Sequence, residues 1–197
     1  MSLYIESIRI KNGKAENLEL HQERVNNTLG QKSGEGLNLK NHLEDLKLTN
    51  SGLFKWRIEY NREKIHQNQL IPYHPTTVSK IKLVEAPNLK YALKYSNREI
   101  FKRLLLQSKA DDIIITQKGV ITDASYANVF FWNGVQWETP STPLLNGTQR
   151  RLILNRKLAV EKKIHLNDIK QYFHFKRVNA MMNWEDSHIE KIDIIIC

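Results

Sequence analysis

The sequence predicts a mixed α/β protein of the α+β type, divided into two domains. Segments that alternate apolar and polar residues, as strands do, recur along the whole chain. Four segments with apolar residues three or four positions apart, as in amphipathic helices, lie between them. Pro72, Pro75 and Pro87 separate a strand-rich first half from a second half in which helices and strands mix.

Length and composition are those of an ordinary globular protein. The 197 residues are 41% hydrophobic and 26% charged, which supports a buried core and argues against global disorder. No apolar run has the length of a membrane span, and the N-terminus alternates like a strand and differs from a signal peptide. The single cysteine, Cys197, excludes an internal disulfide. We therefore expect a cytoplasmic protein without a membrane partner.

The net charge of +9 has two interpretations. It either attracts an anionic ligand, such as a phosphate, a polycarboxylate or nucleic acid, or it is an inert basic surface. The Lys and Arg residues are scattered, without a basic tract, zinc-ligand spacing or an aromatic RNA-binding signature. We therefore expect no nucleic-acid partner and no metal site.

The first half, residues 1–88, is predicted to form an antiparallel sheet with two helices. Its first strand ends at Asn12-Gly13, a dipeptide that favours a hairpin turn because both residues tolerate positive φ. A later strand carries Trp56 and Ile58 at period two. The predicted strands are Leu3–Ile10, Lys14–Leu18, Leu53–Tyr60, Lys64–Ile71 and Val78–Val84, and the predicted helices are His21–Leu29 and Leu39–Leu48.

The second half, residues 95–197, is predicted to be a larger α/β domain, joined to the first by residues 89–94. A helix is expected from Ser96 to about Ser108, with Ser96 or Asn97 as its N-cap. A second helix is expected over Thr148–Val160. The predicted strands are Ile113–Thr116, Val120–Thr122, Val129–Trp132, Phe173–Val178 and Ile189–Ile196.

Two features of the second half suit a charged, phosphorylated ligand. Asp123 is an acidic residue between two predicted strands. Gly147-Thr148-Gln149 stands at the start of a predicted helix, where backbone N–H groups bind anions. A cleft between the two halves is a natural place for such a ligand.

Several motifs, in order and spread over nearly the whole chain, resemble one enzyme family. They are Ile5-Glu6-Ser7-Ile8-Arg9, His21-Gln22-Glu23-Arg24-Val25, Leu93-Lys94-Tyr95-Ser96-Asn97-Arg98, Ile121-Thr122-Asp123 with Asn128-Val129-Phe130, Thr139-Pro140, Leu145-Asn146-Gly147-Thr148-Gln149-Arg150 and Val178-Asn179-Ala180-Met181. Together they resemble the class IV pyridoxal-phosphate enzymes, which include branched-chain and D-amino-acid aminotransferases and 4-amino-4-deoxychorismate lyase.

The resemblance implies a two-domain, fold-type IV enzyme like the D-amino-acid aminotransferases. It implies pyridoxal 5'-phosphate as the cofactor, bound between a small N-terminal and a larger C-terminal domain. It also implies a homodimer and a small, anionic, amino-acid-like substrate.

Lys94 is implied to be the catalytic lysine, because its Leu-Lys-x-x-Asn-Arg context matches the family. Its amine would bond the cofactor aldehyde and then move the substrate proton. Lys90 is the nearest rival, but its context does not match. A lysine taken at random is usually a surface residue.

The resemblance also assigns cofactor contacts. Asp123 stands where the family has a Glu facing the pyridine nitrogen, and it is one methylene shorter; the alternative is a turn-forming Asp. Arg24 matches the arginine that binds the phosphate, and the alternative is a solvated helix residue.

Further phosphate contacts are implied at two backbone sites. Thr148 and Gln149 offer N–H groups at a helix start. Asn179 and Ala180 map to a loop on the phosphate side, where Ala180 has only backbone to offer. Asn128 and His21 belong to the motifs but are read as structural, and Tyr91, Tyr95, Asn97 and Arg98 are weaker candidates that line the cofactor or fix the turn.

Three functions remain open at this point. The Leu-Lys-x-x-Asn-Arg segment favours a 4-amino-4-deoxychorismate lyase, which releases pyruvate and 4-aminobenzoate for folate biosynthesis. The same residues would serve a class IV aminotransferase acting on branched-chain or D-amino acids. The Asp in place of Glu, and ends shorter than in typical members, leave open a pyridoxal-phosphate-binding relative with impaired catalysis.

Overall fold

The computed structural model describes residues 2–32 and 34–196, so Cys197 lies outside the described residues. Contacts within the chain divide it into two compact units. The first unit runs to Pro75 and also includes Leu93–Asn97. The second comprises Thr76–Ala92 and the chain from Arg98 onward. Within the described ranges, none of the helices has the length and hydropathy needed to cross a membrane.

The first unit is an antiparallel sheet with two helices. Its elements are β1 (Tyr4–Lys11), β2 (Lys14–Ala15), α1 (Leu18–Leu29), α2 (Leu39–Glu44), β3 (Leu53–Tyr60) and β4 (Ile65–Pro72). The order among the described strands is β2-β1-β3-β4. The predicted hairpin is confirmed, because Asn12 and Gly13 turn with φ of 49° and 75° between β1 and β2. The long predicted strand Leu53–Tyr60 is confirmed as β3.

Period-two alternation decides what each side of this sheet contacts. Ile8 pairs with Trp56 across β1 and β3, and both are fully buried. They pack with Val25 and Leu29 of α1 in one hydrophobic cluster. Glu6, two residues before Ile8, therefore has its side chain on the same side of the sheet. A carboxylate is thus placed at the margin of an apolar core.

The second unit is a mixed sheet with two α-helices among its described residues. Its elements are β5 (Ile81–Glu85), α3 (Glu99–Ser108), β6 (Asp112–Gln117), β7 (Val120–Ala124), β8 (Asn128–Trp132), β9 (Trp137–Pro140), α4 (Thr148–Asn155), β10 (Val160–Lys162), a 3-10 turn at Leu166–Gln171, β11 (His174–Val178), β12 (Glu190–Lys191), a 3-10 turn at Ile192–Ile194 and β13 (Ile195–Ile196).

The sheet of the second unit combines parallel and antiparallel pairs. Its described strands follow the order β10-β9-β8-β7-β6-β5-β13, and β11 pairs with both β8 and β12. β5 is parallel to β6 and to β13, and β9 is parallel to β10, whereas the other pairs are antiparallel. Ile114, Ile121, Val129, Phe131 and Phe175 form the centre of its core. This sheet holds Asp123 and the strands that lead to α4.

Several predicted helix boundaries are wrong. The helix expected from Ser96 begins at Glu99, with Arg98 at the N-cap, so neither Ser96 nor Asn97 caps it. The helix expected to reach Val160 ends at Asn155, because Lys157 takes a left-handed φ of 57° and the chain then enters β10. Likewise, α2 stops at Glu44, short of the predicted Leu48.

Two strand predictions also need correction. The segment predicted as Val78–Val84 is β5, which joins the second sheet beside β6 and is absent from the described antiparallel sheet of the first unit. The predicted final strand Ile189–Ile196 is two short strands separated by a 3-10 turn. Asp123, expected between strands, lies within β7. The strands β9 and β10 were not predicted.

Candidate active site

Lys94 lies in a short extended segment that pairs with the start of β1. The Lys94 carbonyl accepts a hydrogen bond from the Ile5 N–H at 2.9 Å, and the Ser96 N–H donates to the Leu3 carbonyl at 2.8 Å. The Ser96 hydroxyl also donates to Glu59 at 2.6 Å. The backbone of the lysine is therefore fixed by the strand that carries Glu6. The Lys94 side chain is half-buried, and its charge contributes to lowering the pKa of His21.

Arg24 belongs to a buried ionic cluster with Glu6 and His21. The Arg24 Nε donates to Glu6 Oε1 at 2.8 Å, and Arg24 Nη2 donates to Glu6 Oε2 at 2.5 Å. His21 Nδ1 lies 2.5 Å from the same Oε2. Glu6 comes from β1, and the other two residues lie three positions apart on one face of α1. The predicted phosphate-binding arginine is thus held by a carboxylate to which sequence reasoning gave no role.

The electrostatics of this cluster favour an ionised Glu6 and a neutral His21. Burial would raise the pKa of Glu6, but the Arg24 charge and the hydrogen bond with His21 outweigh it and hold that pKa at about 2. Burial lowers the pKa of His21, although the hydrogen bond with Glu6 opposes this. A neutral His21 donates its Nδ1–H to Glu6, so the cluster carries one anion and one cation.

Asp123 is a buried carboxylate on β7 with both oxygens engaged. Asn128 Nδ2 donates to its Oδ1 at 2.7 Å, and the Leu145 N–H donates to its Oδ2 at 2.9 Å. Burial raises the pKa of Asp123 to about 6, although these hydrogen bonds and the Arg150 charge lower it. A protonated ring nitrogen beside a desolvated carboxylate would favour the ionised form. The residue suits the role predicted for it.

Asn128 connects Asp123 to the chain that enters α4. Besides Asp123, its Nδ2 donates to the Leu145 carbonyl at 2.8 Å. A Cβ atom added to Gly147 would lie 3.5 Å from Asn128 Cγ and well inside contact distance of its Oδ1. Gly147 has an ordinary extended backbone, with φ of −65° and ψ of 151°, so lack of room is what requires glycine here. The structural role predicted for Asn128 is therefore to join Asp123 to the segment before α4 and to pack against Gly147.

The start of α4 suits a phosphate group. Gly147 is the N-cap residue and makes no side-chain cap hydrogen bond, and the first N–H groups of an α-helix have no partner within the helix itself. Thr148 and Gln149 are both 2% exposed at this end. Arg150 is also buried and donates to the Pro140 carbonyl at 2.8 Å and to Glu161 at 2.5 Å, which fixes the turn. The dipole of the helix favours an anion here.

The Asn179 side chain forms hydrogen bonds with other residues of the second unit. Its Oδ1 accepts from the N–H groups of Met181 and Met182 at 2.8 and 2.9 Å, and its Nδ2 donates to the Tyr126 carbonyl at 3.0 Å. Within the described residues, the Ala180 N–H makes no hydrogen bond. The Ala180 backbone N–H and the second hydrogen of Asn179 Nδ2 are the donors that these two residues would offer to a phosphate.

Arg98 is enclosed by aromatic rings in the second unit. Its Cζ lies 5.1 Å from the ring centroid of Tyr91, 4.3 Å from that of Phe101 and 4.5 Å from that of Tyr126. It donates to the Tyr91 hydroxyl at 2.7 Å and to the Ser125 carbonyl. Of its two predicted roles, these contacts favour fixing a turn, namely the one between Asp123 and Asn128.

The chain is similar to a known protein family and to a bacterial relative over most of its length. The model of the family "Amino-transferase class IV" matches residues 4–184. An uncharacterized protein of Haemophilus influenzae is 35% identical over 181 residues, which are 89% of this chain and 96% of that protein.

The solved structures extend this likeness. A candidate 4-amino-4-deoxychorismate lyase from Haemophilus somnus has a TM-score of 0.85 and 31% identity, covering 93% of this chain and 98% of its own. A candidate amino-acid aminotransferase from Mesorhizobium loti has a TM-score of 0.79 and 19% identity over 100% of both chains. At 19% identity, the likeness to the Mesorhizobium loti protein shows only a shared fold.

The predicted family and the fold class are confirmed by these matches. The family match covers more than half of the described chain and includes Lys94, Asp123 and α4. The buried carboxylate of Asp123 and the N-terminus of α4 fit a pyridoxal-phosphate cofactor. The chain belongs to the class IV aminotransferase family, and it is a pyridoxal-phosphate-dependent enzyme of fold-type IV.

Proposed function

We propose that this enzyme is a 4-amino-4-deoxychorismate lyase, which converts its substrate to 4-aminobenzoate and pyruvate in folate biosynthesis. The observation that carries the proposal is the 31% identity, over 93% of this chain, to the Haemophilus somnus protein described as a candidate for that activity. The Leu93-Lys94-x-x-Asn97-Arg98 segment, which resembles the lyases, supports the same choice.

Lys94 is proposed as the group that moves protons. When bound, the cofactor supplies a ring that accepts electrons from the substrate carbon. The Lys94 amine removes the proton from the carbon that carries the substrate amino group. The adjacent carbon–oxygen bond then breaks, the enolate of pyruvate leaves and takes up the proton held by Lys94, and the six-membered ring becomes aromatic. The paired backbone of Lys94 and Ile5 holds the start of this side chain in place.

Asp123 is proposed to keep the cofactor ring in its electron-accepting form. A carboxylate opposite the pyridine nitrogen favours a proton on that nitrogen. Its bonds from Asn128 and Leu145 fix the carboxylate before the cofactor arrives. This pre-organisation lowers the entropy cost of binding.

The phosphate is proposed to be bound by Arg24, by the N–H groups of Thr148 and Gln149, and by the Ala180 backbone. An arginine fork and a helix N-terminus are both suited to a phosphate dianion. The substrate is a small dicarboxylate that bears an amino group, and the net charge of +9 favours its approach. A cytoplasmic homodimer remains part of this proposal.

The lyase assay tests the proposal directly. Purified protein loaded with pyridoxal phosphate is incubated with 4-amino-4-deoxychorismate. Fluorescence follows 4-aminobenzoate, and lactate dehydrogenase coupling follows pyruvate. We expect equal amounts of both products from the wild type and neither product from Lys94→Ala. Lys90→Ala is the matched control, and it should retain activity.

Two results would reject the lyase proposal. Keto acids formed from D- or branched-chain amino acids, without 4-aminobenzoate, would make the enzyme an aminotransferase. Cofactor binding without turnover of any of these substrates would indicate the catalytically impaired relative. The Mesorhizobium loti likeness carries neither alternative, since at 19% identity it shows the fold alone.

A further inference from the structure

We infer that Glu6 is a positioning residue, which fixes the Arg24 guanidinium in the orientation that binds the cofactor phosphate. The inference rests on the proposed phosphate role of Arg24. Glu6 belongs to the first motif of the chain, and the proposed reaction has no other use for it. It is fully buried, while Arg24 has 11% of its side chain exposed.

The geometry of the pair restricts Arg24 strongly. Glu6 binds two different nitrogens of Arg24, Nε and Nη2, with both of its oxygens. Such a two-point contact fixes the plane of the guanidinium as well as its position. The edge formed by Nη1 and Nη2 is thereby directed away from Glu6. An arginine held in this way loses little conformational entropy when a phosphate binds to that edge.

Glu6 is itself held in place. It lies on β1, whose pairing with β3 extends from Tyr4 to Lys11. His21 contacts Glu6 Oε2 from α1, one turn before Arg24. The carboxylate is therefore supported from the sheet and from the helix. A rigid second contact of this kind is what a functional side chain needs to keep its geometry.

Two opposite effects are possible when Glu6 is neutralised. Its negative charge offsets that of Arg24, so its removal would strengthen the Coulomb attraction of Arg24 for a phosphate. Its hydrogen bonds fix the guanidinium, so its removal would weaken phosphate binding. The inference requires that orientation outweighs charge, and the sign of the measured change decides between them.

The test compares two ligands, pyridoxal phosphate and pyridoxal, which differ by the phosphate. Both are titrated by absorbance and fluorescence into the cofactor-free full chain, as wild type, Glu6→Gln, Arg24→Ala and the double variant. We expect Glu6→Gln to raise the Kd of pyridoxal phosphate about tenfold or more, which is the usual scale for a lost charged hydrogen bond. The Kd of pyridoxal should stay within about twofold of wild type.

The double variant shows whether Glu6 acts through Arg24. In the Arg24→Ala background, Glu6→Gln should cause no further loss of affinity, because the two residues act as one unit. Glu138→Gln is the matched control. Glu138 is also a buried carboxylate with a cationic partner, Lys162, and its loss should leave the ratio of the two Kd values unchanged.

The outcomes separate this inference from the proposed function. An unchanged ratio in Glu6→Gln, or tighter binding of pyridoxal phosphate, would overturn the role of Glu6. An unchanged ratio in Arg24→Ala would instead overturn the phosphate role of Arg24. Lyase turnover enters neither measurement. If Glu6→Gln does not fold, as judged by circular dichroism, Glu6→Asp is titrated in its place and the same two outcomes decide.

Discussion

Replacement of Gly147 by alanine tests how Asp123, the proposed partner of the cofactor ring, is connected to the start of α4, where the phosphate is proposed to bind. The added Cβ would overlap Asn128 Oδ1, and the backbone at Gly147 is already in a conformation that alanine adopts. The substitution therefore acts through one contact and adds no backbone strain. To relieve the overlap, Asn128 must rotate away and give up its hydrogen bonds to Asp123 and to the Leu145 carbonyl.

The expected cost follows from those two hydrogen bonds. One has a carboxylate acceptor and the other a carbonyl acceptor, so together they contribute about 2–4 kcal/mol. Alanine also restricts the unfolded chain, which offsets about 0.4–1 kcal/mol. We expect Gly147→Ala to lower the free energy of unfolding by about 1–3 kcal/mol. Urea unfolding of the cofactor-free protein, followed by circular dichroism, measures this value.

A double-mutant cycle isolates the contact. Asn128→Ala removes the overlapping side chain, so Gly147→Ala in that background should cost less than about 0.5 kcal/mol. Gly119→Ala is a poor control, because Gly119 has a φ of 73°. Thr142→Ala, at an exposed loop position before the same helix, is a better one. Equal costs for Gly147→Ala with and without Asn128 would refute the reasoning.

Three further predictions concern charge and packing in the same protein. Because burial raises the pKa of Asp123 from 3.8 to about 6, the unfolded chain releases this proton first. The contribution of Asp123 to the stability of the cofactor-free protein should therefore fall by roughly 2 kcal/mol as pH rises from about 4 to 6. Urea unfolding from pH 4 to 8 should show this fall in the wild type and a flatter profile in Asp123→Asn; parallel profiles would contradict it. Arg98→Lys should lower the free energy of unfolding by roughly 2–4 kcal/mol, since lysine cannot keep both hydrogen bonds and the three ring contacts; Tyr126→Leu, which removes one ring, should cost about 1 kcal/mol. Borohydride reduction of the loaded enzyme should fix the cofactor on Lys94, as peptide mass mapping would show, and a label on Lys90 would disprove that assignment.

Local sequence determined much of the fold. The turn at Asn12-Gly13 and the strand Leu53–Tyr60 follow from properties of neighbouring residues, namely tolerance of positive φ and period-two alternation. The short strands around residues 113–132 were found for the same reason. Local pattern is sufficient where the residues that fix a conformation are close together in sequence.

Pairing over long distances decided what local pattern missed. β5 reads as one more strand of the first sheet, but its parallel partner β6 begins 31 residues after β5 does, at Asp112 against Ile81. The apolar residues Leu158 and Val160 suggest a longer helix, yet Val160 pairs with Glu138 of β9. A partner so far along the chain leaves no periodic signal in the segment itself.

The candidate site shows the same division between what local sequence predicts and what only long-range contacts decide. Lys94, Asp123 and Arg24 could be proposed as site residues from the order of the motifs alone. The partners that give each residue its electrostatic state could not, because Glu6 reaches Arg24 over 18 positions and Leu145 reaches Asp123 over 22.

By itself, the sequence thus determined the family, the cofactor and the residues proposed for its chemistry. Tertiary structure alone decided that Arg24 is bound to Glu6, that Asp123 is desolvated with both oxygens engaged, and that Gly147 leaves room for Asn128. The physical reason is that burial and hydrogen bonding are properties of neighbours in space, and β1 with α1, or β7 with α4, become neighbours only when the sheets form.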